Sequence, residues 1–356
     1  MLPAQAITMT AKPSTPATCL RKPGGNMELS LIDSAVQGIK IFSPPPVGFD
    51  ALAATDDQLR KYGFPRRPNP SVATKRTIAR WQRAVCATRV VPDLVLTEYV
   101  HGPIQKRPQR AGLPPTSNNW SGYVAHDTTN AFQDARITTD FEIPKPLNLI
   151  NPGPNHLSIW VGFDGDGSPD VLQAGVHVIT SGKLQGQSTQ SYLWIEWFPQ
   201  YEVRVGGLPA NPGDWVEIQI EHYPAVGGFP PMGGASLANI STGQSVGLAI
   251  TPPAGTALVG NCAEWIVERP GVNNVLSSLP DFVTTIMMTC DATGPGIYAP
   301  GKVPATATIV DYAMTDASGT IIMQANLAPP HLKANAPTEY GYTNVTFLGG
   351  TTTGNP

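Results

Sequence analysis

The stretch "CAEWIVERP", Cys262 to Pro270, places two glutamates four residues apart among aromatic and β-branched residues that favour extended backbone. In a strand the side chains alternate, so Glu264, Ile266 and Glu268 share one face and Trp265 and Val267 the other. Burying a carboxylate costs several kcal/mol or raises its pKa, so such a pair requires hydrogen-bond partners or a chemical role.

Two further stretches repeat the pattern. In "SYLWIEWFP" (191–199), Tyr192, Trp194, Glu196 and Phe198 fall on one face and Leu193, Ile195 and Trp197 on the other. In "VLQAG" (171–175), Gln173 shares its face with Val171 and Gly175. Set in one sheet, the three strands predict a groove with aromatic walls and a floor of Glu196, Glu264, Glu268 and Gln173. The alternative is that each polar group simply satisfies a buried neighbour.

From Asn118 onward about eleven strand-like segments follow one another, separated by Gly, Pro, Asn or Asp clusters, with no helical pattern between them. They predict an all-β fold, an antiparallel double-sheet β-sandwich of the concanavalin A-like or jelly-roll type. The 35 Gly and 37 Pro agree with many short strands and turns. No apolar run approaches the roughly 18 residues that span a bilayer, so a membrane partner is not expected.

Residues 1–115 read differently. They carry 16 Lys/Arg against 7 Asp/Glu, a net of +9, whereas 116–356 carry 7 against 19, a net of -12; together these give the chain's -3. The first 50 residues are Pro-, Ser- and Thr-rich and read as irregular or extended. Two short helices are expected next. One follows Thr55 as N-cap, with Asp56 and Asp57 in its first turn and a stop at Gly63; the other begins at Ser71 with Ala73, Ile78, Trp81 and Val85 near one stripe. The chain is therefore divided into a small, partly helical N-terminal segment (1–115) and a sandwich (116–356). "QKRPQRAGLPP" near the junction should be exposed and protease-sensitive. The basic segment either binds an anionic partner or is attracted to the acidic body and loosens as carboxylates protonate. Nucleic acid is not expected as a partner.

Four cysteines, 19, 86, 262 and 290, lack the close spacing of a zinc site; Cys262 and Cys290 could form a disulfide, the reading slightly preferred, or remain buried thiols. The loop "DGDGSPDVLQAG" from Asp164 fails as a calcium site, because Pro169 stands where the sharp turn needs Gly and Gly175 where the bidentate Glu belongs. The six histidines, 101, 126, 156, 177, 222 and 331, show no HExxH and no clustered spacing, so no metal and no cofactor are expected.

Taken in order, "SNNWSGYV", "WVGFDGDGSPDVLQAGV", "YLWIEWFP" and "AEWIVE" resemble the successive signature segments of the glutamic peptidases, the eqolisins or family G1. The resemblance implies a sandwich of two seven-stranded sheets, an acid-active endopeptidase made as a zymogen, polypeptide substrates, and a secreted, monomeric protein. Residues 1–25 nonetheless lack the basic start and apolar core of a secretory signal. By the same resemblance Gln173 and Glu268 form the catalytic dyad. Trp160, Asp164, Trp194 and Glu196 line or support the cleft, Trp120 sits beside it, and Glu264 has a supporting or structural role. The N-terminal segment would be the chain's own inhibitor. In one departure His177 stands where the family can carry an acidic residue, which changes the network behind Gln173. Two rivals remain at this level. A glycoside hydrolase could use Glu196 and Glu268 if their carboxyls lie about 5 to 9.5 Å apart. A carbohydrate-binding sandwich would use the aromatic groove without cleaving.

Overall fold

In the computed structural model the described residues are 29–68, 70, 73, 75–109, 112–149, 151–225, 230–273, 275–281, 284–293, 306–328 and 342–347. The N-terminal segment contributes β1 (Leu31–Asp33), β2 (Ile39–Phe42), α1 (Asp56–Lys61), α2 (Lys75–Cys86), β3 (Thr88–Arg89), β4 (Asp93–Leu96) and β5 (Tyr99–Val100). The strands that follow are β6 (Thr116–Ser117), β7 (Trp120–His126), β8 (Arg136–Glu142), β9 (Asn155–Phe163), β10 (Leu172–Ser181), β11 (Ser188–Trp197), β12 (Val203–Gly206) and β13 (Trp215–Tyr223). After them come β14 (Met232–Asn239), β15 (Gln244–Ile250), β16 (Cys262–Glu268), β17 (Gly271–Val272), β18 (Val275–Leu276), β19 (Thr284–Thr293), β20 (Thr308–Thr315), β21 (Ile321–Ala328) and β22 (Tyr342–Phe347).

These strands build the expected sandwich. One sheet, here the cleft sheet, runs β20-β7-β16-β9-β10-β11-β12-β4, antiparallel throughout. The back sheet runs β19-β8-β13-β14-β15-β2-β1. β21 and β22 bridge β20 to β19 and join the two sheets at one edge. Without the strands of the N-terminal segment, the cleft sheet has seven strands and the back sheet five, continued by β22 and β21. Alternation does the sorting: Leu157, Ile159, Val161, Leu193, Ile195 and Trp265 from the cleft sheet meet Val216, Ile218, Ile220, Leu237 and Leu248 from the back sheet in one core. Each such buried aliphatic side chain contributes about 1.5–3 kcal/mol. The opposite face of the cleft sheet carries a separate aromatic cluster with Trp120, Trp160, Tyr192, Trp194 and Tyr312.

The N-terminal segment is woven into both sheets. β2 extends the back sheet along β15, β3 pairs in parallel with the same strand, and β4 extends the cleft sheet along β12. α1 begins as expected: Thr55 Oγ1 accepts from the Gln58 N–H and Gln58 Oε1 accepts from the Thr55 N–H, a complete capping box. α2 starts at Lys75, after a non-helical Ala73, and therefore later than the Ser71 start expected from the sequence. Trp81 and Val85 of α2 pack with Leu59 and Phe64.

The segment's basic charge settles on the outer face of the back sheet. Arg60 and Arg66 each place Nη2 2.6 Å from Glu221 Oε1, while Arg80 Nε lies 2.9 Å from Glu217 Oε2 and its Nη1 donates to Asp140. On the other side of the molecule, the chain after β4 crosses the cleft sheet and turns back between the exposed residues 108–109 and 112–113. The Arg107 N–H donates to Thr116 O and the Asn118 N–H to Gln105 O, which closes this hairpin onto β7.

The slight preference for a Cys262–Cys290 disulfide is corrected by the fold. Cys262 lies on the cleft face of β16, with Sγ 2.8 Å from Glu264 Oε1, and Cys290 lies in the intersheet core beside Thr139. The two thiols occupy different layers and are not bridged. Cys19 lies outside the described residues.

Two glycines let the aromatic face close. A Cβ on Gly175 would stand 2.4 Å from Ile159 O, 2.5 Å from Trp160 Cβ and 2.9 Å from Trp194 Cζ2; one on Gly162 would stand 2.8 Å from Leu172 O. Gly175→Ala should therefore cost about 1–3 kcal/mol by overpacking, read as a lower urea midpoint with an unchanged slope.

Candidate active site

The cleft face of the sheet follows from the strand register. Gln173 of β10 stands opposite Gly162 of β9 and Glu196 of β11; Gly175 stands opposite Trp160 and Trp194; His177 stands opposite Ser158 and Tyr192. On the other side of β9, Glu264 pairs with Gly162, Ile266 with Trp160 and Glu268 with Ser158. Glu196, Glu264, Glu268 and Gln173 thus share one face, as alternation predicted, and all are buried.

A single residue of the N-terminal segment touches both members of the expected dyad. The Gln173 side chain donates through Nε2 to the main-chain oxygen of His101 at 2.5 Å, while His101 Nδ1 lies 3.0 Å from Glu268 Oε2. The other ring nitrogen, Nε2, lies 2.8 Å from Glu202 Oε2, and the ring stacks on Trp194 with centroids 4.1 Å apart and planes 8° apart. The His101 N–H donates to Glu196 at 3.1 Å and 3.2 Å. His101 is completely buried (0% exposed).

The segment around it is held on both sides. The Thr97 N–H donates to Glu202 O and the Glu202 N–H to Tyr99 O; beyond His101, the Ile104 N–H donates to Gly165 O and the Gln105 N–H to Asn119 Oδ1. Asn119 returns an Nδ2 bond to Pro103 O at 3.2 Å.

Charges follow from these contacts. Burial alone would strip His101 of its proton, but Glu268 and Glu202 reverse that and hold it at about 10, so the ring is an imidazolium donating at both nitrogens. Burial also opposes the charge on Glu202, yet His177 and His101 outweigh it and push its carboxyl below the usual range. Burial raises Glu268, with His101 and the 2.8 Å bond from Trp160 Nε1 pulling the other way. Glu196 is raised well above the carboxylate range, chiefly by burial, and keeps its proton.

Behind Glu202 two more histidines form a chain. His177 Nδ1 lies 2.9 Å from Glu202 Oε2, and His177 Nε2 lies 3.1 Å from His156 Nδ1. Burial lowers His177, and burial with His177 beside it lowers His156 to about 3. Both rings are therefore neutral at pH 7, with His177 donating to Glu202 and accepting from His156. Where the family can carry an acid, this chain holds a neutral imidazole, and the acid facing it comes from Glu202, just before β12. Among the described residues His101, His177 and Glu202 form the one grouping whose donor atoms, all within 4.8 Å, could hold a metal ion. Their lone pairs and protons are engaged in hydrogen bonds to one another.

The remaining expected residues fall around this centre. Trp120 meets Trp160 edge-on at 4.9 Å between centroids. Asp164 lies further off, at φ +67 in the turn after β9, where its carboxylate accepts the N–H groups of Val259, Gly260 and Asn261. Despite these bonds burial raises Asp164 to about 6. Glu264 accepts from the Cys262 thiol while its Oε2 meets no protein donor, and burial raises it well above the usual range. His101, Glu202 and His156 are absent from the sequence-based site. His177 was marked there only as a departure. In an NMR pH titration His101 should stay doubly protonated from pH 5 to about 9, and His156 and His177 should stay neutral from pH 7 upward.

Comparison with known proteins bears on the family and the fold. The model of the Peptidase A4 family matches residues 118–329, more than half of the chain. Aspergillopepsin-2 of Aspergillus niger is 27% identical over 172 residues, 48% of this chain and 56% of that protein. Scytalidopepsin B of Scytalidium lignicola is 27% identical over 110 residues, 31% of this chain and 38% of that protein. The chain thus spans about half or less of the length of the curated relatives it matches. Among solved structures, scytalido-glutamic peptidase with a transition state analog inhibitor aligns over 65% of this chain and 98% of its own, at 18% identity and a TM-score of 0.50, a likeness of fold. With its cleft strands inside the matched region and its signature segments in order, the chain belongs to the Peptidase A4 family, the eqolisin or G1 group of glutamic peptidases.

Proposed function

We propose that this chain is an acid-active endopeptidase of the glutamic type, made as a zymogen, with Glu268 as general base and acid and Gln173 as the oxyanion donor. The observation that carries this reading is the contact of both groups with one residue: Gln173 Nε2 on the His101 carbonyl oxygen and Glu268 Oε2 on the His101 ring. A peptide carbonyl at the position of His101 O meets a neutral donor that keeps its hydrogens at acid pH. Gln173 Oε1 has no protein partner and is available to accept from a water. Ionised Glu268 would take a proton from that water as it attacks, then return the proton to the departing nitrogen. The Gln173 amide would hold the developing oxyanion. Trp160 Nε1 fixes the Glu268 carboxylate from the side.

In the zymogen residues 1–115 act as inhibitor, and "KRPQRAG" (106–112), flanked by the exposed residues 108–109 and 112–113, is the processing junction. The removed segment would leave a monomeric, extracellular enzyme acting on polypeptides. The direction of pH control follows from the charges. His101, held up at about 10, favours docking fully below its ordinary value near 6.5 and loses that contribution as pH rises toward 10, so acid does not release the segment through it. Glu202 and Glu221 are both depressed: burial opposes, but His177 and His101 at the first and Arg66 and Arg60 at the second prevail. The share that comes from the segment, His101 at Glu202 and the two arginines at Glu221, is complete above the ordinary carboxylate value, about 4.3, and vanishes as pH falls through the depressed values, whereas the His177 share stays with the body. Release therefore belongs to strongly acid pH. Glu217 and Glu268, which burial raises, work in the opposite sense.

Incubation of the purified chain across pH 2 to 6, followed by sequencing of new N-termini, tests this reading. Wild-type protein should be cut between residues 106 and 116 below about pH 4 and should then cleave a denatured protein substrate; Glu268→Gln should remain intact and inert. Processing and hydrolysis by Glu268→Gln would overturn the assignment. In processed enzyme Gln173→Ala should lower kcat by about 10²–10³, equivalent to about 2.7–4 kcal/mol, with little change in KM.

A further inference from the structure

We infer that the cleft contains an imidazolium-binding subsite, built from Trp194, Glu202, His177 and Glu268, whose ligand is a histidine side chain of a peptide, and that a histidine seated there blocks hydrolysis. The inference rests on the dyad reading above and adds the chemistry of the inhibitor. Three observations carry it. The His101 ring lies flat on Trp194 at 4.1 Å, an arrangement that favours an aromatic cation. Its two nitrogens face two different carboxylates, Glu202 at 2.8 Å and Glu268 at 3.0 Å, on opposite sides of the ring. Glu202 is itself held for this purpose by His177 at 2.9 Å, with His156 behind it.

The geometry selects histidine over other residues. A lysine has one ammonium at the end of a flexible stem and no flat face to lie on Trp194. A phenylalanine has the flat face but no donor for either carboxylate, which would leave Glu202 and Glu268 buried without their partner. An imidazolium has both the face and two donors pointing in different directions.

The same geometry explains why the bound segment is a ligand and not a substrate. Its carbonyl at residue 101 takes the Gln173 donor as a scissile carbonyl would. Its ring nitrogen, however, takes the Glu268 oxygen that an attacking water needs. The peptide is aligned for hydrolysis with the nucleophile's place filled by its own side chain.

The test uses the full chain with His101→Ala and free imidazole as the probe. Calorimetry at pH 5 should show imidazole binding to His101→Ala with one-site saturation, absent in wild type, and at least tenfold weaker in His101→Ala/Glu202→Gln; methylammonium should not bind. No binding by His101→Ala, or equal binding by the double variant, overturns the subsite. In parallel, His101→Ala should cut its own chain next to residue 101 at pH 5, where wild type stays intact, and imidazole should suppress that cut. If acid-processed wild type cleaves a peptide substrate but His101→Ala does not cut itself, the blocking role fails and the peptidase reading stands. If neither cleaves, the peptidase reading fails, and calorimetry alone decides the subsite. Should His101→Ala not fold, His101→Ser, which also leaves the Glu268 oxygen free for water, should cut itself where wild type stays intact; an uncut chain there overturns the blocking role.

Discussion

A buried positive ring between two buried carboxylates governs how the rest of this molecule is arranged. The cleft sheet buries Glu196, Glu202 and Glu268 around one ring, with Glu264 buried further along β16 beside Cys262, and buried carboxyls cannot all ionise unaided. Glu196 and Glu264 answer by keeping their protons. Glu202 and Glu268 answer by sharing one imidazolium from a segment 101 and 167 residues away in sequence. The path of residues 97–105, bonded to Glu202 on one side and to Asn119 and Gly165 on the other, delivers that ring to its place.

The sandwich supplies what this arrangement needs. Alternation lets a single strand present aliphatic side chains to the core and polar ones to the cleft, so Glu268 and Trp265 serve different layers from one β16. Gly162 and Gly175 remove the Cβ atoms that would keep Trp160 and Trp194 apart from the strands beside them. The N-terminal segment is held by strand pairing in both sheets, by arginines on the back sheet, and by His101 and Lys106 on the cleft side. Its positive charge therefore meets the acidic body chiefly on the face away from the dyad.

Much of this was legible in the sequence, for a local reason. Strand periodicity depends on nearest neighbours along the chain, so the shared face of Glu264, Ile266 and Glu268, the inward Trp197 and the capping box at Thr55 could be read without a structure. β15, "QSVGLAI", alternates large with small residues and carries no aromatic, so it is less plainly marked than the cleft strands. The late start of α2 and the separate layers of Cys262 and Cys290 are tertiary facts that spacing does not encode. The gathering of His101, His156 and His177 is another: no two of them are close in sequence, and only the register of β9 with β10 and the crossing segment bring them together. His177 offered the one clue, as a residue whose ordinary acidic counterpart had to be supplied from elsewhere, which here is Glu202.

The central claim is that Gln173 and Glu268 converge on a single reacting centre once His101 leaves. A crystal structure of the acid-processed protein with a peptide analogue carrying a tetrahedral hydroxyl centre tests it most directly. The expected result is one hydroxyl oxygen bonded to Gln173 Nε2 and another to Glu268, with the analogue's backbone following the path of residues 99–104. An analogue bound with its tetrahedral centre out of reach of either side chain would contradict the account.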